Sequence, residues 1–151
     1  MAKVFKNMKD LERYLNKQID TVLMNEVADE VTKTMINRID EDVYAAYTPY
    51  STDGITPHYE RTYELKNEGN IIRFLMKNGV LAIENIRQEN GVDIVERIEH
   101  GRGYDWGFRR NLDDEIGARP FIHNTREEIR KTGRHVLAMR KGLSRLGIKT
   151  M

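Results

Sequence analysis

The stretch IIRFLMKNGVLAIENI, residues 71–86, decides the fold. Two apolar runs, IIRFLMK and VLAIENI, flank Asn78-Gly79. An Asn-Gly pair between such runs marks a tight β-hairpin, and a type I′ turn in particular, because that turn needs positive φ at both central positions. A two-stranded hairpin is marginal by itself, so the rest of the chain must cover it.

Upstream, apolar residues fall at Leu11, Leu15, Ile19, Val22, Val27, Val31, Met35, Ile39, Val43 and Tyr47, in steps of three to five and mostly four. That is the spacing of one helix face. Asn7 followed by Asp10 reads as the N-cap, and Thr48-Pro49 as the end, because the residue before proline avoids the α region. Continuous from Met8 to Tyr47, this helix spans roughly 60 Å at ~1.5 Å per residue. Either it breaks near Met24-Asn25 or it projects towards a neighbour. Residues 48–58, TPYSTDGITPH, read as a loop. Downstream, VDIVERIEHG has Ile94, Val95 and Ile98 at helical spacing. Its β-branched content also allows a third strand, and the resemblance given below tips the balance to helix. A last helix is expected from Asn124, with Glu127 completing a capping-box variant. Its inner face is Ile129, Val136 or Leu137, Leu143 and Leu146, and Gly147 follows as the residue past its end. Gly133 and Gly142 weaken that helix by roughly 1 kcal/mol each relative to alanine, which suggests close packing against another helix. The expected architecture is a single α+β domain over residues 1–151: long N- and C-terminal helices packed on a small antiparallel sheet containing a hairpin. Strands from neighbouring copies would complete so small a sheet.

The composition fits one domain of 151 residues, 39% apolar and 32% charged. With 25 Lys+Arg against 24 Asp+Glu, the whole chain has no bias towards nucleic acid or membranes. The charge is segregated, however: residues 123–151 carry +6 and the remainder −5. An acidic body and a basic C-terminal helix invite electrostatic contact within one molecule or between copies. The absence of cysteine excludes disulfides and thiolate metal sites. No apolar run approaches the ~18 residues of a membrane span, and the opening MAKVFKNMKDLERYL lacks a signal core, so secretion by the usual route is not expected.

Catalytic constellations are not evident. His58, His100, His123 and His135 show no i, i+4 pair. Asp40 to Asp42 and Asp113 to Glu115 read as solvated charge runs. Ser51 and Ser144 sit in no nucleophile elbow. GRGYDWG lacks the G-x-G-x-x-G spacing and its strand-to-helix context. The same segment, IEHGRGYDWGFRRNLDDEIGARPF (residues 98–121), interleaves Arg102, Arg109 and Arg110 with Tyr104, Trp106 and Phe108. Those aromatics could stack bases, but Asp105, Asp113, Asp114 and Glu115 cancel the charge that phosphate binding needs. Trp, Tyr and Arg are the residues enriched at protein interfaces. The six residues are therefore expected to form a partner interface on a flexible loop spanning about residues 101–119.

Three stretches carry a resemblance: VYAAYTPYSTDGITPHYERTYEL, with its Tyr-Thr-Pro turn and Tyr-x-Arg-Thr; IVERIEHGRGYDW, a short helix leading to a Gly/aromatic loop; and ARPFIHNTREEI with GLSRLGIK. In order and spacing they resemble the head–tail joining (tail-completion, minor tail component) proteins of tailed bacteriophages. The resemblance implies a structural virion protein of the neck that forms a ring, commonly sixfold, between connector and tail. Its partners would be the connector or stopper and the tail terminator or tail tube. DNA passing the lumen would be touched without sequence preference. It implies no enzyme activity, no cofactor, no metal and no membrane, with location in the virion and, during assembly, the host cytoplasm. The alternative is a small nucleic-acid-associated phage or prophage protein, supported by the basic C-terminal helix. A metal-dependent nuclease is a weaker rival, since Asp93 and Glu96 have no lysine near them in sequence.

On this reading, the emission of Trp106, the chain's single tryptophan, is that of an exposed indole in the free protein and shifts to the blue when a neck partner binds. Trp106→Ala leaves folding nearly intact and lowers head–tail joining. A buried indole whose removal unfolds the chain would sink the expectation.

Overall fold

Asn7 starts the first helix as the spacing predicts: its side chain accepts the Asp10 N–H at 2.9 Å. In the computed structural model, which describes residues 3–46, 61–103 and 117–151, the helical path then runs unbroken to Tyr44. It comprises α1 (Met8–Val22), a π-helical segment (Leu23–Val27), α2 (Ala28–Arg38) and a second π segment (Ile39–Tyr44). The first π segment contains Met24 and Asn25, where a break was the alternative to a continuous rod. Val22 and Val27 are five residues apart, one more than an α-turn tolerates on one stripe. A π turn widens the helix locally, and both valines are buried. In the second segment the Ala45 N–H donates to the Asp40 carbonyl five residues back, at 2.8 Å. The expected terminus at Thr48-Pro49 and the loop 48–58 lie outside the described residues.

After two short 3-10 turns, Glu64–Lys66 and Glu68–Asn70, β1 (Ile71–Leu75) pairs antiparallel with β2 (Leu81–Asn85), with Ile71 opposite Asn85 and Leu75 opposite Leu81. The hairpin is where the sequence placed it, but its turn is not type I′. Gly79 has φ +76°, whereas Asn78 is absent from the positive-φ residues. The Met76 carbonyl accepts from Gly79 N–H and the Met76 N–H donates to Val80 O, both at 2.9 Å. This is the longer hairpin connection, a type I-like turn closed by a left-handed glycine. Asn78 Oδ1 instead accepts the Val80 N–H at 3.3 Å. The type I′ pattern occurs one step later, at Asn90 (φ +50°) and Gly91 (φ +77°), joining the two-residue strands β3 (Gln88–Glu89) and β4 (Val92–Asp93).

The ambiguous segment is a helix, α3 (Ile94–His100). Asp93 caps it by accepting the Glu96 N–H at 3.0 Å, and Gly101 ends it at φ +65°. The C-terminal helix differs from expectation in two respects. It begins at Phe121, not Asn124, because the carboxylate of Glu99 on α3 accepts the Ile122 and His123 N–H groups at 2.9 and 3.0 Å. Asn124 turns away and donates to Asp42 Oδ2 at 2.9 Å. It is also two helices, α4 (Phe121–Thr132) and α5 (Arg134–Arg145), because Gly133 adopts φ +63° between them. Near the start of α5, Val136 and Leu137, one of which was expected on the inner face, are exposed, while Ala138 and Met139 pack inside. Gly147 follows α5 at φ +80°, as expected.

The core has two centres along the rod. One gathers Met35, Ile39, Val43, Leu65, Ile71, Val95, Ile98 and Phe121 around α2. The other gathers Val22, Val27 and Leu143, flanked by Leu81, Ala138 and Met139. Fully burying Phe121 contributes roughly 1.5–3 kcal/mol. The hairpin bridges the two centres, Ile71 and Ile83 meeting the first and Leu81 the second. Arg73 fastens it to the rod by donating to Asp29 Oδ1 at 2.5 Å and to the Met24 carbonyl at 3.4 Å. Charge segregation is used inside the molecule: Arg145 of the basic helix pairs with Glu26 of the rod at 2.5 Å. Hydrogen bonding to Arg145 holds the Glu26 carboxyl below the usual carboxylate range. The architecture is α+β: helices packed on small antiparallel two-stranded sheets.

Of the two glycines expected to mark close packing, Gly142 does so. A Cβ there would lie 2.4 Å from Val22 Cγ1 and 3.0 Å from Val22 Cγ2. Gly142→Ala should therefore destabilise the protein by about 1–3 kcal/mol, measured by urea unfolding. Adding Val22→Ala should recover part of the loss that the two single substitutions together imply. Strict additivity of the two would show that the helices do not meet there.

Candidate functional site

The surface expected to carry function is the 101–119 segment. Of its candidate residues, Arg102 is described and exposed. Tyr104, Trp106, Phe108, Arg109 and Arg110 lie outside the described residues, so the structure does not bring the six together. It does define how the segment leaves and re-enters the fold. The Arg119 N–H donates to the Ile98 carbonyl at 2.9 Å. A Cβ on Gly101 would lie 2.2 Å from the Ala118 backbone nitrogen and 2.4 Å from the Gly117 carbonyl carbon. Only glycine permits that approach, and only glycine adopts its φ cheaply. The two ends are thus pinned side by side beneath the end of the rod, where the Arg119 guanidinium reaches the Val43 carbonyl at 3.5 Å.

A second cluster lies where the chain returns after residue 60. Tyr63 and Tyr44 meet edge-to-face at 4.9 Å. Arg61 donates to the Tyr44 carbonyl at 2.8 Å and stacks over the Tyr44 ring. Lys66 pairs with Asp40 at 2.8 Å beside both rings. Burial pushes the Tyr44 phenol pKa up. Tyr63 holds φ +55°, a conformation that costs of order 1–3 kcal/mol and persists only where surrounding contacts enforce it. Arg61 belongs to the Tyr-x-Arg-Thr stretch, and here it buttresses the end of the rod.

A third surface was not anticipated. The hairpin's outward side exposes Ile72, Phe74, Met76, Val80 and Ile86, while its inward side carries Ile71 and Leu75 from the same strand. The signal was in the sequence: IIRFLMK is apolar at both odd and even positions, the pattern of a strand covered on both faces. Among the described residues one face is covered, by the rod and its neighbours. A fourth feature is the exposed basic side of α4 and α5. Lys131, Arg140 and Lys141 have no ion-pair partner among the described residues, whereas Arg130 and Arg134 pair with Glu127 and Glu128.

Among the described residues, no group of three or more His, Asp or Glu is placed to hold a metal ion. No helix there is long and apolar enough to cross a membrane. His100, His123 and His135 fall on separate parts of α3, α4 and α5, and His58 lies outside the described residues. What the arrangement presents is surface for contact: a pinned loop, an apolar sheet face and a basic helix.

The fold and these surfaces define a small α+β protein whose hairpin exposes an apolar face among the described residues. The chain belongs to the YomN family, whose match spans residues 7–145. It is 36% identical over 155 residues to the SPbeta prophage-derived uncharacterized protein YomN of Bacillus subtilis (strain 168), covering 99% of either chain. No solved structure matches it. The family makes this a phage or prophage protein, a coarser assignment than head–tail joining.

The pinned neck gives a direct test. Gly101→Ala puts a methyl group against backbone and forces positive φ on a substituted residue, so it should cost about 1–3 kcal/mol. Hydrogen exchange should show lost protection at the Arg119 amide. Unchanged stability and protection would mean that the two ends are not held together.

Proposed function

We propose that this chain is a structural, non-enzymatic subunit of the phage particle, acting at the neck where head and tail join, and that it works as a ring of identical copies. The observation that carries the reading is the hairpin's uncovered apolar face. Five large apolar side chains of the hairpin, Ile72 and Phe74 within β1 and Met76, Val80 and Ile86 beside the strands, stay exposed among the described residues, and an assembly would cover them. The family's phage or prophage setting and the resemblance to head–tail joining proteins support the same role. The partners are other neck proteins on the connector and tail sides, and the working location is the virion. Residues Arg102 to Arg110 remain the proposed contact with an axial partner.

The basic surface of α4 and α5 favours a second reading, as a nucleic-acid-associated phage protein. Salt dependence separates the two, since phosphate binding gives a steep fall of log K with log salt.

Deleting the gene from the phage or inducible prophage that carries it should yield DNA-filled heads and finished tails that do not join. Antibody labelling of wild-type particles should mark the junction. Normal infectious particles from the deletion, empty heads, or absence of the protein from purified particles would each overturn the assignment.

A further inference from the structure

We propose that the uncovered face of the hairpin is closed by α5 of a second copy of this chain, in a head-to-tail contact. The inference rests on the assembly role above and names the partner of the apolar face as the next copy.

The two surfaces complement each other in apolarity and in charge. On the hairpin, Ile72 and Phe74 alternate along the outward side of β1, and Met76 follows just past its end. Glu84, exposed and directly opposite Ile72, adds a negative charge at one end of the patch. On α5, Val136 and Leu137 are exposed (46% and 61%), and Arg140 and Lys141 follow one turn later on the same arc of the helix. Val136 and Leu137 both lie in the first turn of α5, just after the break at Gly133. No ion pair uses Glu84, Arg140 or Lys141 among the described residues. A helix laid along the hairpin places Val136 and Leu137 on Phe74 and Met76 and brings Arg140 and Lys141 to Glu84. Lys77, at the turn, lies beyond the opposite end of the patch. The contact would cover on the outer face Ile72 and Phe74, as the rod and its neighbours cover Ile71 on the inner one.

Hairpin and α5 are different surfaces of the same chain, so the contact is heterologous. Each copy offers one of each, and repetition closes a ring if the rotation closes. Charge orients the approach and makes the association weaken as salt rises.

The chain's lack of cysteine allows a clean test on the full-length protein. Phe74→Cys and Leu137→Cys variants are purified separately, mixed, and treated with a short bifunctional maleimide. The two sites are largely exposed, and circular dichroism confirms that the fold is kept. The expected result is crosslinked heterodimer well above its random share, a ladder of oligomers from the doubly substituted chain, and loss of both on raising the salt. Glu84→Lys should abolish the crosslink, and combining it with Arg140→Glu and Lys141→Glu in the mixing partner should restore it. Predominant Phe74→Cys homodimer, or no product above random collision, overturns the proposal. The readout needs no phage particle, so it fails independently of the neck assignment: a ladder without the protein in virions would sink the neck role and keep this contact.

Discussion

Everything in this fold leans on one rod, and the rod depends on a five-residue step. Between Val22 and Val27 the apolar stripe lengthens by one residue, and the helix answers with a π turn instead of a break. An α-helix kept through that step would rotate Val27 and everything beyond it by about 100° away from the stripe, since each residue turns the helix by that amount. The π turn absorbs the extra residue, so α1 and α2 present one continuous face. That face holds two core centres, with the hairpin bridging them and α5 seated on the π turn itself. Gly142 exists for that seating, since no side chain fits between α5 and Val22. Arg73 reaches the Met24 carbonyl in the same segment.

The remaining connections are reciprocal caps between elements distant in sequence. Glu99, on α3, satisfies two N–H groups at the start of α4, where unpaired donors gather and a negative charge is favoured. Arg38, on α2, takes Glu128 of α4 at 2.7 Å. Asn85 is buried and donates to the Leu65 carbonyl at 2.6 Å, tying the hairpin to the turn before it. These contacts explain why a highly charged chain with a modest core still forms defined helices: many of its polar groups terminate and orient elements.

The resulting molecule is asymmetric in what it leaves open. Its inner sheet face, helix caps and loop neck are closed within the chain. Among the described residues, its outer sheet face and one side of α5 are not. For a phage or prophage protein of the YomN family, such an arrangement suits a part that is finished by its neighbours. The close approach of Gly101 to Ala118 holds the end of α3 beside the segment leading into α4.

The sequence by itself determined the helix caps at Asn7 and past Leu146, the hairpin around Gly79 and the α+β class, and left residues 94–100 open between helix and strand. Each depends on neighbours within a few residues: a side chain reaching its own helix end, a glycine accepting positive φ, a repeat of apolar positions. It also held, unread, the type I′ turn at Asn90-Gly91 and the two-sided apolarity of β1. Tertiary structure decided what depends on distant partners. The π turn was chosen over a break because α5 and the hairpin reward a straight stripe. The start of α4 moved to Phe121 because Glu99 arrives from another helix. Gly133 became a break and Gly142 a contact, although both look alike in sequence, because only one of them faces Val22. For the candidate site, residues 102–110 were read as interface material from residue type alone and mostly lie outside the described residues, while which of the described surfaces remain open could be seen only once the rod had covered the others.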